Sequence, residues 1–262
     1  MEPLWLTAAL VVGVPGFCVQ WLKWHQLLRS RVDGIDPSNS LQSLFIGYAF
    51  GILSPGRLGE LGRGMFLGHD RMEMLVLAVL DRSTAFAATT LLAGIGLVVI
   101  APGCGLLWLG IWVAVLAALL CFAAKFRDLL GRVWGGERVA NAVKEISGSQ
   151  WTRMSIWSVV FQLAVCAQYY LLLCSWDTFE LTVLAGIPLI FGIKTLLPIG
   201  IMDIGVREAA AVFVFEFMEL DPVPAFGAAI VLFAINVLIP ALVGSAILLH
   251  RFLGISQRSY VQ

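Results

Sequence analysis

Charge is scarce in this sequence. Asp, Glu, Lys and Arg make up 13% of its residues against 60% hydrophobic ones, and mean hydropathy is +0.90. Soluble domains carry about 25% charged residues, so no stretch of the 262 residues reads as one and the solvent expected for most of the chain is lipid. Neither sign prevails: 17 basic residues stand against 17 acidic. Only the placement of charges is then informative, and no nucleic-acid partner is expected. Cysteine is sparse as well. Cys18, Cys104, Cys121, Cys166 and Cys174 lie in or beside apolar runs, with no CxxC and no Cys/His cluster. That pattern suggests neither a zinc site nor a disulfide framework, and the thiols are read as buried and free. No metal or other cofactor is expected. A Walker A motif is missing, so ATP hydrolysis by this chain is not expected. The N-terminus lacks the basic start of a secretory signal: Glu2 stands there, and Lys23, Arg29 and Arg31 follow the apolar run. It is read as a span that stays attached.

Apolar runs are what the sequence has in abundance. A spanning helix needs about 20 mostly apolar residues, and five runs qualify: Leu4 to Leu22, Met74 to Ile100, Leu106 to Ala124, Met154 to Leu173 and Ala225 to Leu249. Two others do not. Leu41 to Leu53 would rise only about 20 Å as a helix, short of a hydrocarbon core about 30 Å thick, and it meets Ser54-Pro55-Gly56-Arg57. Leu181 to Leu197 carries Lys194 and meets Pro198-Ile199-Gly200. A short helical stretch follows each break, Leu58 to Leu67 and Val206 to Met218. The expected fold is therefore an all-α polytopic membrane protein, with about five spanning helices and two re-entrant broken-helix hairpins.

Basic residues in short loops orient such a chain. Lys125, Arg127, Arg132, Arg138, Lys144 and Arg153 lie between the third and fourth spans, and Arg251 and Arg258 follow the last. Asp177 with Glu180, and Glu219 with Asp221, sit in loops without a basic residue. Five spans with the N-terminus outside and the C-terminus cytoplasmic satisfy these biases, and the two hairpins then enter from opposite faces. The breaks also resemble each other. After Pro55 come Gly56, Arg57, Glu60, Gly62 and Arg63; after Pro198 come Gly200, Asp203, Gly205, Arg207 and Glu208. Both place a carboxylate five residues after proline, glycine seven after, and arginine eight or nine after. The expectation is one membrane domain over 1–262, with inverted repeats over about 1–100 and 154–250. A connector span covers about 106–124 and a cytoplasmic loop about 125–153. Paired broken helices in inverted repeats mark transporters, whose sites lie where the breaks meet.

Charges within apolar runs cost about 2.5–3.5 kcal/mol each at a span centre. Arg57, Glu60, Arg63, Asp81, Arg82, Lys194, Asp203, Arg207 and Glu208 all fall in or beside such runs. Arg57/Glu60 and Glu60/Arg63 are spaced to pair along a helix, and Asp81 lies about 10 Å into its span, within reach of a hairpin arginine. A helix that starts after Pro-Gly offers unpaired backbone N–H groups and a positive dipole end, and with arginines on the same turn it favours phosphate. The expected roles are substrate binding for Arg57, Arg63, Arg82, Lys194 and Arg207. Glu60, Asp81, Asp203 and Glu208 serve as exchangeable counter-charges, and Pro55, Gly56, Pro198, Gly200 and Gly205 as helix breaks. The plainer reading makes the charges structural pairs that lock the hairpins together, with Arg63 snorkelling to the interface. Trp21, Trp24, Trp108, Trp151, Tyr169 and Tyr170 are read as interfacial anchors.

At the two hairpins the sequence resembles the lysylphosphatidylglycerol synthase transmembrane, or flippase-like, family. The resembling segments are Tyr48 to Arg63, then Asp81-Arg82, then Leu197 to Glu208. Members of that family are associated with moving lipids, including aminoacylated phosphatidylglycerol and isoprenoid-linked sugars. The resemblance implies functional roles for Arg57, Glu60, Arg63, Asp81, Arg82, Arg207 and Glu208. The Ile199-Gly-Ile-Met-Asp203 stretch departs from the more Gly/Ser-rich sequence members tend to carry there. The family's soluble aminoacyl-transferase domain has no counterpart in these residues, so synthesis of aminoacylated lipid by this chain is not expected. The reading that follows is a non-enzymic flippase-like transporter of an anionic lipid in a prokaryotic cytoplasmic membrane: a phospholipid, an aminoacylated phospholipid or an isoprenoid-phosphate-linked lipid. Beyond the lipid, its partners are a lipid-modifying enzyme or further copies of itself. The alternatives are a membrane-embedded lipid-phosphate enzyme and a structural subunit of a cell-envelope assembly. His25, His69 and His250 lie near span ends or in loops, which suits interfacial residues better than catalysts.

Overall fold

Apolar runs this long have two ways to satisfy their backbone in lipid, and the chain takes the helical one. The computed structural model describes residues 2–32, 34–103, 105–107, 110–111, 113–114, 147–176, 180–197 and 205–259. The first half comprises α1 (Pro3–Arg29), α2 (Pro37–Ile52), a 3-10 helix (Leu58–Phe66) and α3 (Arg71–Ile100). The second comprises α4 (Gly148–Cys174), α5 (Val183–Leu196), α6 (Val206–Phe217) and α7 (Pro222–Phe233). A π-turn (Ala234–Leu238) then leads into α8 (Ile239–Ser259). Helices are the regular structure of the described residues, and the protein is an all-α polytopic membrane protein. Among the described residues, four helices are long and apolar enough to cross: α1, α3, α4 and the continuous stretch Pro222–Leu253. Their outer faces carry bare aliphatic side chains such as Val11, Val99 and Leu242, each more than 60% exposed, which lipid covers without cost and water does not. The expected connector span and basic loop fall largely outside the described residues. So do Cys104, Cys121 and Trp108, and from the second break Pro198, Gly200 and Asp203.

The two short runs form short helices, as their lengths require. At 16 and 14 residues, α2 and α5 rise about 24 and 21 Å, less than the hydrocarbon core. α2 ends where Pro55 disfavours helix for the residue before it, and Gly56 and Arg57 then turn the chain with φ of 56° and 58°. The left-handed region suits glycine; for Arg57 it costs about 1–2 kcal/mol. Aspartates start the long helix after each break: Asp70 accepts from the backbone of Met72 and Glu73, and Asp221 from that of Val223.

Each half owns a hydrophobic core. Trp24, Leu28, Leu44, Met74 and Leu77 build one, with Met154 and Ala241 as its contributions from the other half. Tyr169, Leu172, Ile187, Ile190, Val214 and Phe215 build the other, with Ala9 from the first half. Small residues bring the halves together, as close packing in membranes requires. α1 lies along α4, Gly16 against the methyl of Ala164. Gly96 of α3 meets the backbone carbonyl of Ala185 in α5, and Gly244 of α8 meets that of Phe45 in α2. The long helix of each half thus leans on the short helix of the other.

Candidate functional site

Between the two cores lies a cavity of about 340 Å³, within the range of small-ligand sites. Its wall includes Arg57, Glu60, Arg63, Asp81 and Arg82 from the first half and Lys194 and Arg207 from the second. Residues more than a hundred positions apart in sequence therefore share one space.

Two ion clusters hold the first half of the wall. In one, the Asp81 carboxylate takes Lys23 Nζ at 2.9 Å on one oxygen and Arg63 Nη2 at 2.6 Å on the other. Lys23 also donates to the Asp81 backbone carbonyl at 3.0 Å. The three residues are 1%, 4% and 3% exposed for Lys23, Arg63 and Asp81. The Arg63 guanidinium lies 3.7 Å above the Trp24 ring, its carbonyl receives Ser43 Oγ at 2.8 Å, and Trp24 Nε1 donates to that same Oγ at 3.2 Å. In the other cluster, Glu60 pairs with Arg57 and receives Arg82 Nη1 at 2.5 Å. Arg82 Nη2 reaches the Gly56 carbonyl at 3.1 Å, tying α3 to the break, and the Arg57 guanidinium lies 5.1 Å from the Tyr48 ring centroid. Across the cavity Arg207 is buried, its guanidinium 5.3 Å from the Phe233 ring centroid and its Nε 3.5 Å from Glu208.

Several expectations need correction. Glu60 takes Arg57 and Arg82, while Arg63 reaches past it to Asp81: side chains three apart eclipse in a 3-10 helix, so Glu60 and Arg63 both face α3, where Asp81 and Arg82 are neighbours. Arg63 is deep in protein and does not snorkel. The backbone N–H groups at the two breaks are not all available to a ligand. Gly59 N–H donates to Ser54 Oγ at 2.6 Å and Gly205 N–H to Glu208 at 2.7 Å. The third position of each post-break helix holds a carboxylate, Glu60 in the first and Glu208 in the second. Trp24 and Tyr169 are not interfacial anchors; both are fully buried, Trp24 under Arg63 and Tyr169 with its hydroxyl donating to the Ala225 carbonyl at 2.7 Å. An aromatic near the end of an apolar run suits either place, and here the run continues as helix to Arg29. His25 is also buried, with Nδ1 3.0 Å from Ser40 Oγ. Cys166 and Cys174 are buried as expected, but Cys18 is exposed on the outer face of α1.

Sequence reasoning missed other groups on or beside the wall. Lys23 lies behind the wall and holds Asp81; its spacing of three from the wall residue Gln20 is the signal that both share a helix face. On α4, Ser158 and Gln162 are spaced by four, and Ser158 donates to Thr84 Oγ1 while Gln162 accepts from Thr89, both at 3.1 Å. Asn236 enters the wall from the π-turn and donates to Gln168 at 2.6 Å. Pro240 accounts for the widened turn, since it cannot donate to the carbonyl four residues back and its ring crowds it.

The family model for the lysylphosphatidylglycerol synthase TM region matches residues 1–244. The chain belongs to that family. Neither a curated protein nor a solved structure matches it. Within the family match lie all of the charged wall residues, together with Lys23 and the π-turn.

Proposed function

We propose that this family member is a flippase-like transporter that carries an anionic lipid across the membrane without altering it chemically. One observation carries the reading: a single cavity takes arginines from both broken-helix regions. Among the described residues, three arginines of the first half and Lys194 and Arg207 of the second line it, and guanidinium groups suit a phosphate. Depth agrees with transport. Gln162 is the fifteenth of 27 residues in α4, placing the cavity about 21 Å along a helix about 40 Å long. Asp81 is the eleventh of 30 residues in α3, about 15 Å along a helix about 45 Å long, and ionisable groups within spans mark substrate paths in membrane proteins.

The two halves act as inverted repeats, each with a re-entrant hairpin made of the short helix, the break and the helix after it. Support comes from paired helix lengths, 27 and 27 residues for α1 and α4, and from the reciprocal packing of long on short helices. The aspartate caps after each break add to it. The N-terminus faces outward and the C-terminus faces the cytoplasm of a prokaryotic cell. Glu60 and Asp81 exchange arginine partners with the phosphate as the lipid passes.

The test is reconstitution of the full chain in liposomes with tail-labelled fluorescent lipids, following the fraction that dithionite bleaches. Wild-type protein accelerates exchange of an anionic lipid over empty vesicles, and Arg207→Gln or Arg57→Gln reduces it to the background while the protein still elutes as a folded species. Unchanged exchange in both variants would overturn the site assignment. No exchange of any anionic or isoprenoid-phosphate lipid would overturn transport.

A further inference from the structure

Uncharged polar groups from both halves meet in the cavity at one level. α1 and α4 run antiparallel, with Gly16 against Ala164 and Gln26 accepting from Trp157, so Gln20 between these contacts stands level with Gln162. Gln162 accepts from Thr89 of α3. α3 in turn crosses α5 with Ala93 against Gly192, and one turn past that contact stand Thr89 on α3 and Thr195 on α5. Asn236 enters from the π-turn, and all five line the cavity. Much of their hydrogen-bonding capacity is unspent. Among the described residues, the side chains of Gln20 and Thr195 make no hydrogen bond. Gln162 is 7% exposed, and its Nε2 meets the Cys166 sulfur, a weak acceptor at 3.8 Å. Asn236 gives its nitrogen to Gln168, which leaves its Oδ1 to accept.

We infer that this band is a subsite for a hydroxyl-bearing headgroup, a glycerol or a sugar esterified to the phosphate that the arginines hold. The inference rests on the transport reading and adds the part of the cargo beyond the phosphate. Gln162 offers a donor, Asn236 an acceptor, and Gln20 and Thr195 both. A phosphate oxygen only accepts and an ammonium only donates, so neither satisfies such a mixed set. A hydroxyl does both. Reach agrees. Thr89 lies seven residues past Arg82 on α3, about 10 Å along the helix, a length that a phosphate with its esterified group spans. A glycerol with an ester on one hydroxyl keeps the other, so substituted glycerol headgroups fit as well. Selection follows from the unspent groups, because a headgroup without hydroxyls strands them out of water.

The experiment compares two pairs of lipids that differ in the hydroxylated group. The full chain is reconstituted in liposomes with tail-labelled phosphatidylglycerol, phosphatidic acid, a polyprenyl phosphate bearing one sugar and the bare polyprenyl phosphate, and dithionite-accessible fluorescence is followed for each. In at least one pair the hydroxylated member exchanges about tenfold faster or more, and the pair that shows it distinguishes glycerol from sugar. Gln20→Leu and Thr195→Val remove polar atoms that bond no other part of the described fold. Each lowers that ratio by about threefold or more, while exchange of the member without hydroxyls persists. Equal exchange within both pairs overturns the inference and leaves transport standing, as does an unchanged ratio in both variants. If no lipid exchanges above empty liposomes, the transport reading fails and the subsite falls with it.

Discussion

Asp81 binds two cations in a place with almost no water, and the asymmetry of that trio makes it testable. Asp81→Asn leaves Lys23 and Arg63 facing each other with no counter-charge. Breaking a buried pair from one side costs about 3–5 kcal/mol. Lys23→Met removes one cation but leaves Asp81 neutralised by Arg63, and the methionine fills most of the lysine stem's volume, so its cost is smaller. In detergent, the Asp81→Asn protein therefore unfolds at a clearly lower temperature than Lys23→Met. Equal losses would mean that Arg63 alone does not satisfy Asp81. Arg57 makes a related point. Its left-handed backbone is a conformation that glycine adopts more easily, yet the residue is an arginine whose side chain joins Glu60 and the cavity wall. The side chain, not the turn, accounts for the residue type there.

Helix boundaries were largely legible because long apolar runs and Pro-Gly breaks are strong local signals. The runs read as Leu41 to Leu53 and Leu181 to Leu197 became Pro37–Ile52 and Val183–Leu196. What the pattern hid was the kind of helix. Leu58–Phe66 winds as a 3-10 helix, which lines Glu60 and Arg63 up on one face, where α3 offers them Arg82 and Asp81. Buried polar partners on α1 and α4 were hidden as well, because a lone Lys23 or Ser158 in an apolar run resembles a flank or a tolerated hydroxyl until a partner helix is placed beside it. Close approach between helices was equally invisible, since a glycine in a span has many uses. Its consequence is specific, however. A methyl group on Gly96 or Gly244 would collide with a backbone carbonyl of the opposite half, which cannot swing aside as a side chain would. Gly96→Ala and Gly244→Ala each destabilise the protein by about 1–3 kcal/mol, the range for overpacking. The open position Gly103→Ala, with nothing within 4 Å, is tolerated. Thermal stability of the three purified variants checks the contrast, and a tolerated Gly96→Ala and Gly244→Ala would show that the halves are not held by close approach.

At the scale of the molecule, the proposal that the halves are inverted repeats has a consequence independent of any cargo. If each short helix and the helix after its break enter and leave on one face, the loops that follow them lie on opposite sides of the membrane. His69 sits in the first of these loops, between the 3-10 helix and α3, and Glu219 in the second, between α6 and α7; both are exposed. Charge agrees with that placement, because the second loop holds Glu219 and Asp221 with no basic residue, as an outward loop does. In a background with the five native cysteines replaced, Glu219→Cys reacts with a membrane-impermeant maleimide in intact cells, and His69→Cys reacts only after the membrane is opened. Labelling of both from the same side would mean that one broken region crosses fully, and the two arginine-bearing breaks could not then be related by inversion. The same pair of variants also fixes the absolute orientation. Labelling of His69→Cys alone in intact cells would keep the inversion and reverse the direction in which the protein sits.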